Sequence, residues 1–233
     1  MSNSYTEADY EKSVMELFAG LGYTCVYGPD VERDVRTPLY EEELRAQLYR
    51  LNSSLPNDAL TEAFEQLSNI EIGELTQRNE IFTDYLQNGV PVRYFADGEE
   101  RSAIVYLVDY ENLTNNSFIA ANQWTIVENS EKRPDIILFL NGLPVVVIEL
   151  KSPAREETDA SEAYLQLRNY MQEIPSLFVY NAICVMSDMG TSKAGTITSD
   201  EERFMAWKTV DGSYENTAYA QFDTFFEGIF ARA

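Results

Sequence analysis

Apolar residues recur at helical spacing near the N-terminus, at strand spacing through the middle and at helical spacing again towards the end. Tyr10, Val14, Leu17, Phe18 and Leu21 predict an amphipathic helix over about 6–21. Glu7 and Asp9 suit its positive end and Gly22 stops it. A short strand is expected at 23–27. Pro38 opens a second helix to about 51, with Leu44, Leu48 and Leu51 on one side and Glu41, Glu42 and Glu43 in its first turn. Asn57 or Asp58 caps a third, to about 70, carrying Leu60, Phe64 and Leu67; a fourth covers about 72–86 and ends at Asn88-Gly89. From Val90 short strands are expected at 92–95, 103–110, 117–121 and 123–127.

The strongest signal follows, Arg133-Pro134-Asp135-Ile136-Ile137-Leu138-Phe139-Leu140-Asn141-Gly142-Leu143-Pro144-Val145-Val146-Val147-Ile148-Glu149-Leu150-Lys151-Ser152-Pro153. Two apolar runs flanking Asn-Gly predict a hairpin of two buried strands. Beyond it, Ala160, Ala163, Tyr164, Leu167 and Met171 mark a helix over about 158–172, ended by Pro175. A buried strand is expected over 178–186, a loop with Lys193 over 187–199, a helix of about eight residues capped by Ser199 and Asp200, and an aromatic-rich helix over 219–230. This order predicts an α/β (α+β) fold around a mixed central β-sheet flanked by helices, with a helical insertion at about 38–88 and a core at about 100–210. One domain over 1–233 is the expectation.

Bulk properties narrow the chemistry. With 45% hydrophobic and 12% aromatic residues the chain is a folding sequence, and no run reaches the length of a membrane span. Two cysteines without CxxC spacing, Cys25 and Cys184, are expected to be reduced core thiols of a cytoplasmic protein. The net charge of −22 works against nucleic-acid binding, which relies on Lys and Arg to neutralise phosphates. Residues 1–130 hold 8 basic and 23 acidic side chains, and residues 131–233 hold 9 and 16. If the protein acts on DNA, other elements must do most of the holding. The chain has no histidine, which removes Ser-His-Asp hydrolases, HExxH zinc sites and nucleases with a histidine base. Hydrolysis would fall to carboxylates, lysine, tyrosine and a bound metal.

The hairpin offers that set. Glu149 and Lys151, two apart on a strand, leave the same face. A plain two-residue Asn141-Gly142 turn would place Asp135 opposite Ile148 and Glu149 on the wrong face. A three-residue loop, or a two-residue turn plus a bulge, pairs Asp135 with Glu149 instead, and the site requires that pairing. Two adjacent carboxylates repel unless a cation lies between them. All-oxygen ligation suits Mg2+, and Lys151 beside it would act on the attacking water and on the transition state. The plain alternative is a Glu149–Lys151 salt bridge at a strand end with Asp135 an ordinary turn residue.

Asp135, thirteen intervening residues, then Glu149-Leu150-Lys151 resembles the PD-(D/E)xK nuclease signature, including Pro134. The longer stretch around it looks like the nuclease motif of the restriction (motor) R subunit of type I restriction-modification enzymes. The neighbours agree: Leu51-Asn52, Arg78-Asn79-Glu80, Asn122-Gln123-Trp124 and the stretch from Ile174 to Asn181. The resemblance implies a restriction-endonuclease-like core and a QxxxY motif on the helix after the hairpin, here Gln166 and Tyr170, on one helical face away from the Leu167/Met171 side. It also implies that Asp135 and Glu149 hold Mg2+ (or Mn2+), with the Leu150 carbonyl as a further ligand. Lys151 acts on the water, and Gln166 and Tyr170 support. Glu11 on the first helix, with Glu7 and Glu16 as competitors, is the candidate for a carboxylate that many such nucleases add to the metal region; the plain and preferred reading of each is a solvated surface acid.

The implied activity is Mg-dependent cleavage of double-stranded DNA, a type I site-specific deoxyribonuclease. Its partners are the methyltransferase (M) and specificity (S) subunits and its own motor domains, which bind ATP. No GxxxxGK[ST] loop occurs in the sequence, so an N-terminal fragment lacking the motor is expected. The other readings are a non-catalytic docking module and a stand-alone PD-(D/E)xK nuclease.

Overall fold

The computed structural model describes residues 6–151, 160–188, 190–213 and 222–231. Its centre is a six-stranded mixed sheet. Helix α1 (Glu7–Gly20) starts from a Thr6 N-cap, whose hydroxyl and the Asp9 carboxylate form a reciprocal capping box. Strand β1 (Thr24–Tyr27) leads to helices α2 (Glu41–Leu51), α3 (Asn57–Ser68) and α4 (Leu75–Asn88). A hairpin of β2 (Val90–Ala96) and β3 (Glu99–Val105) forms its own two-stranded sheet. Next come β4 (Phe118–Asn122), a small ribbon of β5 (Ile126–Val127) and β6 (Glu131–Lys132), and the central hairpin of β7 (Ile136–Leu140) and β8 (Leu143–Leu150). Helices α5 (Ala160–Glu173) and α6 (Pro175–Val179), strands β9 (Ile183–Ser187) and β10 (Ser192–Gly195), and helix α7 (Phe222–Phe230) complete the order.

The main sheet runs β1-β4-β7-β8-β9-β10, with β1–β4 and β8–β9 parallel and the other pairs antiparallel. Strand alternation divides its side chains between two cores. Ala120, Ile136, Leu138, Ile148, Leu150 and Val185 face α1 and α7, meeting Tyr10, Val14, Phe18, Phe225 and Phe226. Ile119, Ala121, Ile137, Phe139, Val147 and Met186 face α5 and α6, meeting Leu167, Tyr170, Met171 and Phe178. This is the mixed α/β architecture expected from the sequence, and it is consistent with a restriction-endonuclease-like fold. A further core joins α2, α3 and α4 to the β2–β3 hairpin and to Leu143 at the tip of the central hairpin.

That tip ties the layers together. Asn141 and Gly142 both take positive φ, 54° and 82°, as a tight two-residue hairpin turn demands. The Asn141 amide nitrogen donates to the Leu107 carbonyl at 2.7 Å and to Asn116 Oδ1 at 2.8 Å, while its Oδ1 accepts from Ser117 N at 2.7 Å. The Gly142 carbonyl accepts from Tyr40 N just before α2.

Several elements differ from expectation. Pro175 both follows the end of α5 and starts helix α6, because its fixed φ suits the first helical turn, so the strand expected from 178 begins only at Ile183. The 187–199 segment contains strand β10, with Lys193 in it. Asp200 caps only a short 3-10 turn, Glu201–Arg203, after which Met205 bridges to Ala194. Cys25 is exposed; only Cys184 is a core thiol. The expected helix starts at Thr158 and Tyr219 lie outside the described residues. No helix among the described residues is long and apolar enough to cross a membrane.

A Cβ on Gly142 would sit 2.5 Å from Leu44 N and 2.7 Å from the Tyr40 carbonyl, in a left-handed backbone. Gly142→Ala should therefore cost at least about 2 kcal/mol of unfolding free energy. Urea denaturation measures it, and a loss below about 0.5 kcal/mol would mean the tip does not anchor α2.

Candidate active site

The register of β7 against β8 decides whether a site exists. Leu140 lies opposite Leu143 and Phe139 opposite Pro144, as a two-residue turn requires; then the pairing slips by one, so that Leu138 meets Val146 and Ile136 meets Ile148. Val145 is the extra residue of this bulge, and it returns the strands to a register in which Asp135 falls beside Glu149. Both side chains leave on the α5 face, the face of Ile137 and Val147.

Asp135 is held from two sides. Its Oδ2 accepts from Leu150 N at 2.8 Å, and its main-chain oxygen accepts from Gln123 N at 3.0 Å. Glu149 is 3% exposed, and its Oε1 accepts from Lys151 Nζ at 2.6 Å. Glu149 Oε2 is buried with no hydrogen-bond partner. The Lys151 side chain keeps 17% of its surface, and its main-chain N–H donates to the Ser187 carbonyl, which fixes the end of β8 on β9.

These contacts set the protonation states. Burial pushes the Asp135 carboxyl well up, the nearby Glu149 charge adds to this, and the Leu150 amide and Lys151 oppose it. The Glu149 carboxyl is also raised, mainly by burial, against the pull of Lys151 and of the Tyr170 hydroxyl. Burial acts to lower Lys151, but Glu149, Asp135 and Glu7 outweigh it, and the ammonium is held more firmly than usual. Tyr170 is pushed far up, first by burial and then by the Glu149 charge, so its hydroxyl stays neutral. The orphaned Glu149 oxygen and the repelling carboxylates are the electrostatic setting in which a small divalent cation fits. Among the described residues no group of three or more His, Cys, Asp or Glu forms a cage. Mg2+ does not need one, since it commonly takes one or two carboxylates and keeps several waters.

The other expected residues fall as follows. Tyr170 packs in the same core as Leu167 and Met171, not away from that stripe. Its hydroxyl interacts with both Gln166 and Glu149, so the motif on α5 bears on Glu149. Gln166 is half-buried. Of the N-terminal acids, it is exposed Glu7 whose charge reaches Asp135, Glu149 and Lys151. Glu11 instead accepts two side-chain amides, from Asn122 and Gln123. Glu16 pairs with Lys12 on the surface. Helix α1 is fastened over the strand ends by a buried 2.6 Å contact between the Tyr10 and Ser187 hydroxyls, and Ser187 in turn meets Ser192 at 2.6 Å. No sequence signal marked this hydroxyl chain, because Ser and Tyr at such positions are ordinary strand and helix residues.

The raised Asp135 pKa has a consequence for folding. The folded state retains a proton that the unfolded chain gives up, so the associated stability is complete below the ordinary value of 3.8 and is lost as pH rises through the raised one. Asp135→Asn keeps an oxygen for the Leu150 amide and removes the charge. In metal-free buffer it should be more stable than the wild type at pH 7, by on the order of 1 kcal/mol, and the gain should vanish near pH 4. Denaturation at the two pH values tests this; a variant less stable at pH 7 would contradict it.

Known proteins resemble the chain along most of its length. The family description "Type I restriction enzyme R protein N terminus" matches residues 4–203. The chain is 37% identical over 215 residues to the type I restriction enzyme HindI endonuclease subunit of Haemophilus influenzae, covering 88% of this chain and 20% of that protein. It is 30% identical over 229 residues to the putative type I restriction enzyme MjaIXP endonuclease subunit of Methanocaldococcus jannaschii, covering 90% and 22%. The EcoprrI endonuclease subunit of Escherichia coli is 27% identical over 225 residues, covering 91% of this chain and 67% of the relative. The chain thus spans about a fifth of the length of the first two relatives. It belongs to the family of type I restriction enzyme R protein N termini, the N-terminal region of these endonuclease subunits.

Proposed function

We propose that this chain is the Mg-dependent endonuclease domain of a type I restriction enzyme R subunit. It hydrolyses phosphodiester bonds of double-stranded DNA delivered by ATP-driven motor domains outside this sequence, in complex with the M and S subunits in the cytoplasm. The observation that carries the reading is Asp135 and Glu149 side by side on one face, with a buried, unpartnered Glu149 oxygen and Lys151 at 2.6 Å. Asp135 and Glu149 would hold the ion. Bound Mg2+, or Mn2+ in its place, supplies Lewis acidity towards a phosphate oxygen and makes a coordinated water more acidic. Lys151, kept protonated by Glu149, stabilises negative charge gathering on the phosphate. Tyr170, kept neutral, donates towards Glu149 and is oriented by Gln166, so this pair sets the carboxylate's angle.

The net charge of −22 fits a domain that does not hold DNA by itself. A docking role, alone or beside catalysis, is favoured by the β2–β3 hairpin, which leaves Phe95 71% exposed and Ile104 42% exposed outside the main sheet. In the reconstituted complex, Asp135→Ala, Glu149→Ala and Lys151→Ala should each abolish DNA cleavage and leave ATP-driven translocation intact. Persistent cleavage by Lys151→Ala would count against its assignment. Calorimetry on this chain with Mn2+ should show binding that Asp135→Ala removes; a domain that only docks would show none.

A further inference from the structure

Asn122-Gln123-Trp124 stands at the end of β4, and the nuclease reading leaves it without a task. Gln123 is one of three non-glycine residues among those described with positive φ, at 55°. In an extended strand, successive side chains point to opposite faces. Asn122 points to the α1 side, and the left-handed turn at Gln123 brings the next side chain to that side as well. There the two amides close on one carboxylate: Asn122 Nδ2 donates to Glu11 Oε1 and Gln123 Nε2 to Glu11 Oε2, both at 2.6 Å. The same twisted residue directs its main-chain N–H to the Asp135 carbonyl at 3.0 Å, one step beyond the end of the β4–β7 ladder.

The surroundings hold this peptide tightly. A Cβ on Gly28 would lie 2.8 Å from the Gln123 carbonyl and 2.9 Å from that of Asn122, so the chain end of β1 is wedged against it. Trp124 is fully buried, 4.8 Å from the Phe139 ring centroid, with the Arg33 guanidinium over it at 3.8 Å. A left-handed Gln costs free energy and persists where neighbours over-determine it, which is common next to functional groups.

We infer that Glu11 is a positioning residue: by clamping Asn122 and Gln123 it holds the left-handed Gln123 peptide whose N–H fixes Asp135, and it does not ligate the metal itself. The inference rests on the nuclease reading, since it concerns the placement of Asp135 as a ligand. Its effect travels through the backbone of Gln123, and this makes it separable from direct ligation. Glycine adopts positive φ without strain, so Gln123→Gly keeps the N–H that faces Asp135 while removing the need for a clamp.

The test is calorimetric titration of this chain with Mn2+, with thermal unfolding recorded alongside. Wild type should bind and Asp135→Ala should not. Glu11→Ala should bind about ten- to a hundredfold more weakly while remaining folded, the loss expected when an orienting partner of a ligand is removed. Adding Gln123→Gly to Glu11→Ala should bring affinity back to within about threefold of wild type. Glu11→Gln, isosteric and keeping one amide bond, carries the same pair of measurements should Glu11→Ala fold poorly. Unchanged affinity in the Glu11 variants would overturn the inference, and so would a loss that Gln123→Gly fails to restore, which would make Glu11 a ligand. In both cases wild type and Asp135→Ala would still behave as a metal site requires. If wild type itself fails to bind, the nuclease reading falls and the inference falls with it.

Discussion

The register between β7 and β8 is the constraint on which the rest depends. Side chains in a strand alternate with period two, so a slip of one residue moves a whole set to the other face. Here the one-residue bulge at Val145 absorbs the mismatch between a tight Asn-Gly turn and a pair of carboxylates that must meet. The turn fixes the near end of the hairpin and the acids fix the far end. Without the bulge, Glu149 would enter the α1 core among Tyr10, Val14 and Phe18, and an unpaired charge in such a place is prohibitively costly. Burial of the hydrophobic faces and assembly of the site therefore demand the same geometry.

That geometry is held at both ends by groups with no part in the chemistry. At the tip, Asn141 satisfies two carbonyl acceptors and one amide donor from neighbouring segments, which seats the helical layer on the hairpin. At the open end, the Tyr10–Ser187–Ser192 hydroxyl chain fastens α1 to the end of β9 and the start of β10. Buried polar groups satisfied this fully fix a single arrangement, where apolar contacts alone would tolerate sliding. The site in between is held less completely, with one buried carboxylate oxygen left without a partner among the described residues. The unpartnered oxygen of Glu149 and the raised carboxyls store electrostatic free energy that the surrounding core compensates.

Much of this was legible in the sequence because it follows from periodicity. The helices α1 to α5 and the central hairpin carry clear stripes, and the pairing of Asp135 with Glu149 could be required before it was seen. The failures have separate causes. The apolar run after Pro175 satisfies strand and helix patterns alike, and only the helix-starting geometry of proline separates them. Residues 99–101 are charged, and the Asp97-Gly98 turn that places them in a strand depends on local φ, not on hydrophobic alternation. Tyr170 reads as polar by its hydroxyl, yet its ring is core and only its tip is chemical. Gln123 gives no hint of a left-handed backbone, since nothing in its type favours one; tertiary contacts impose it.

The chain contains no histidine, and both cysteine thiols are pushed upwards by burial. Ordinary carboxylates finish titrating well below neutrality and lysines begin well above it. Among the described side chains, then, the groups drawn towards the intervening range are the two carboxyls whose pKa values burial and mutual repulsion have raised, Asp135 and Glu149. Proton uptake by the folded chain above the range where ordinary carboxylates titrate would come largely from one place. Titration above the ordinary carboxylate range is thus a spectroscopically silent but thermodynamically direct view of the protein's own site.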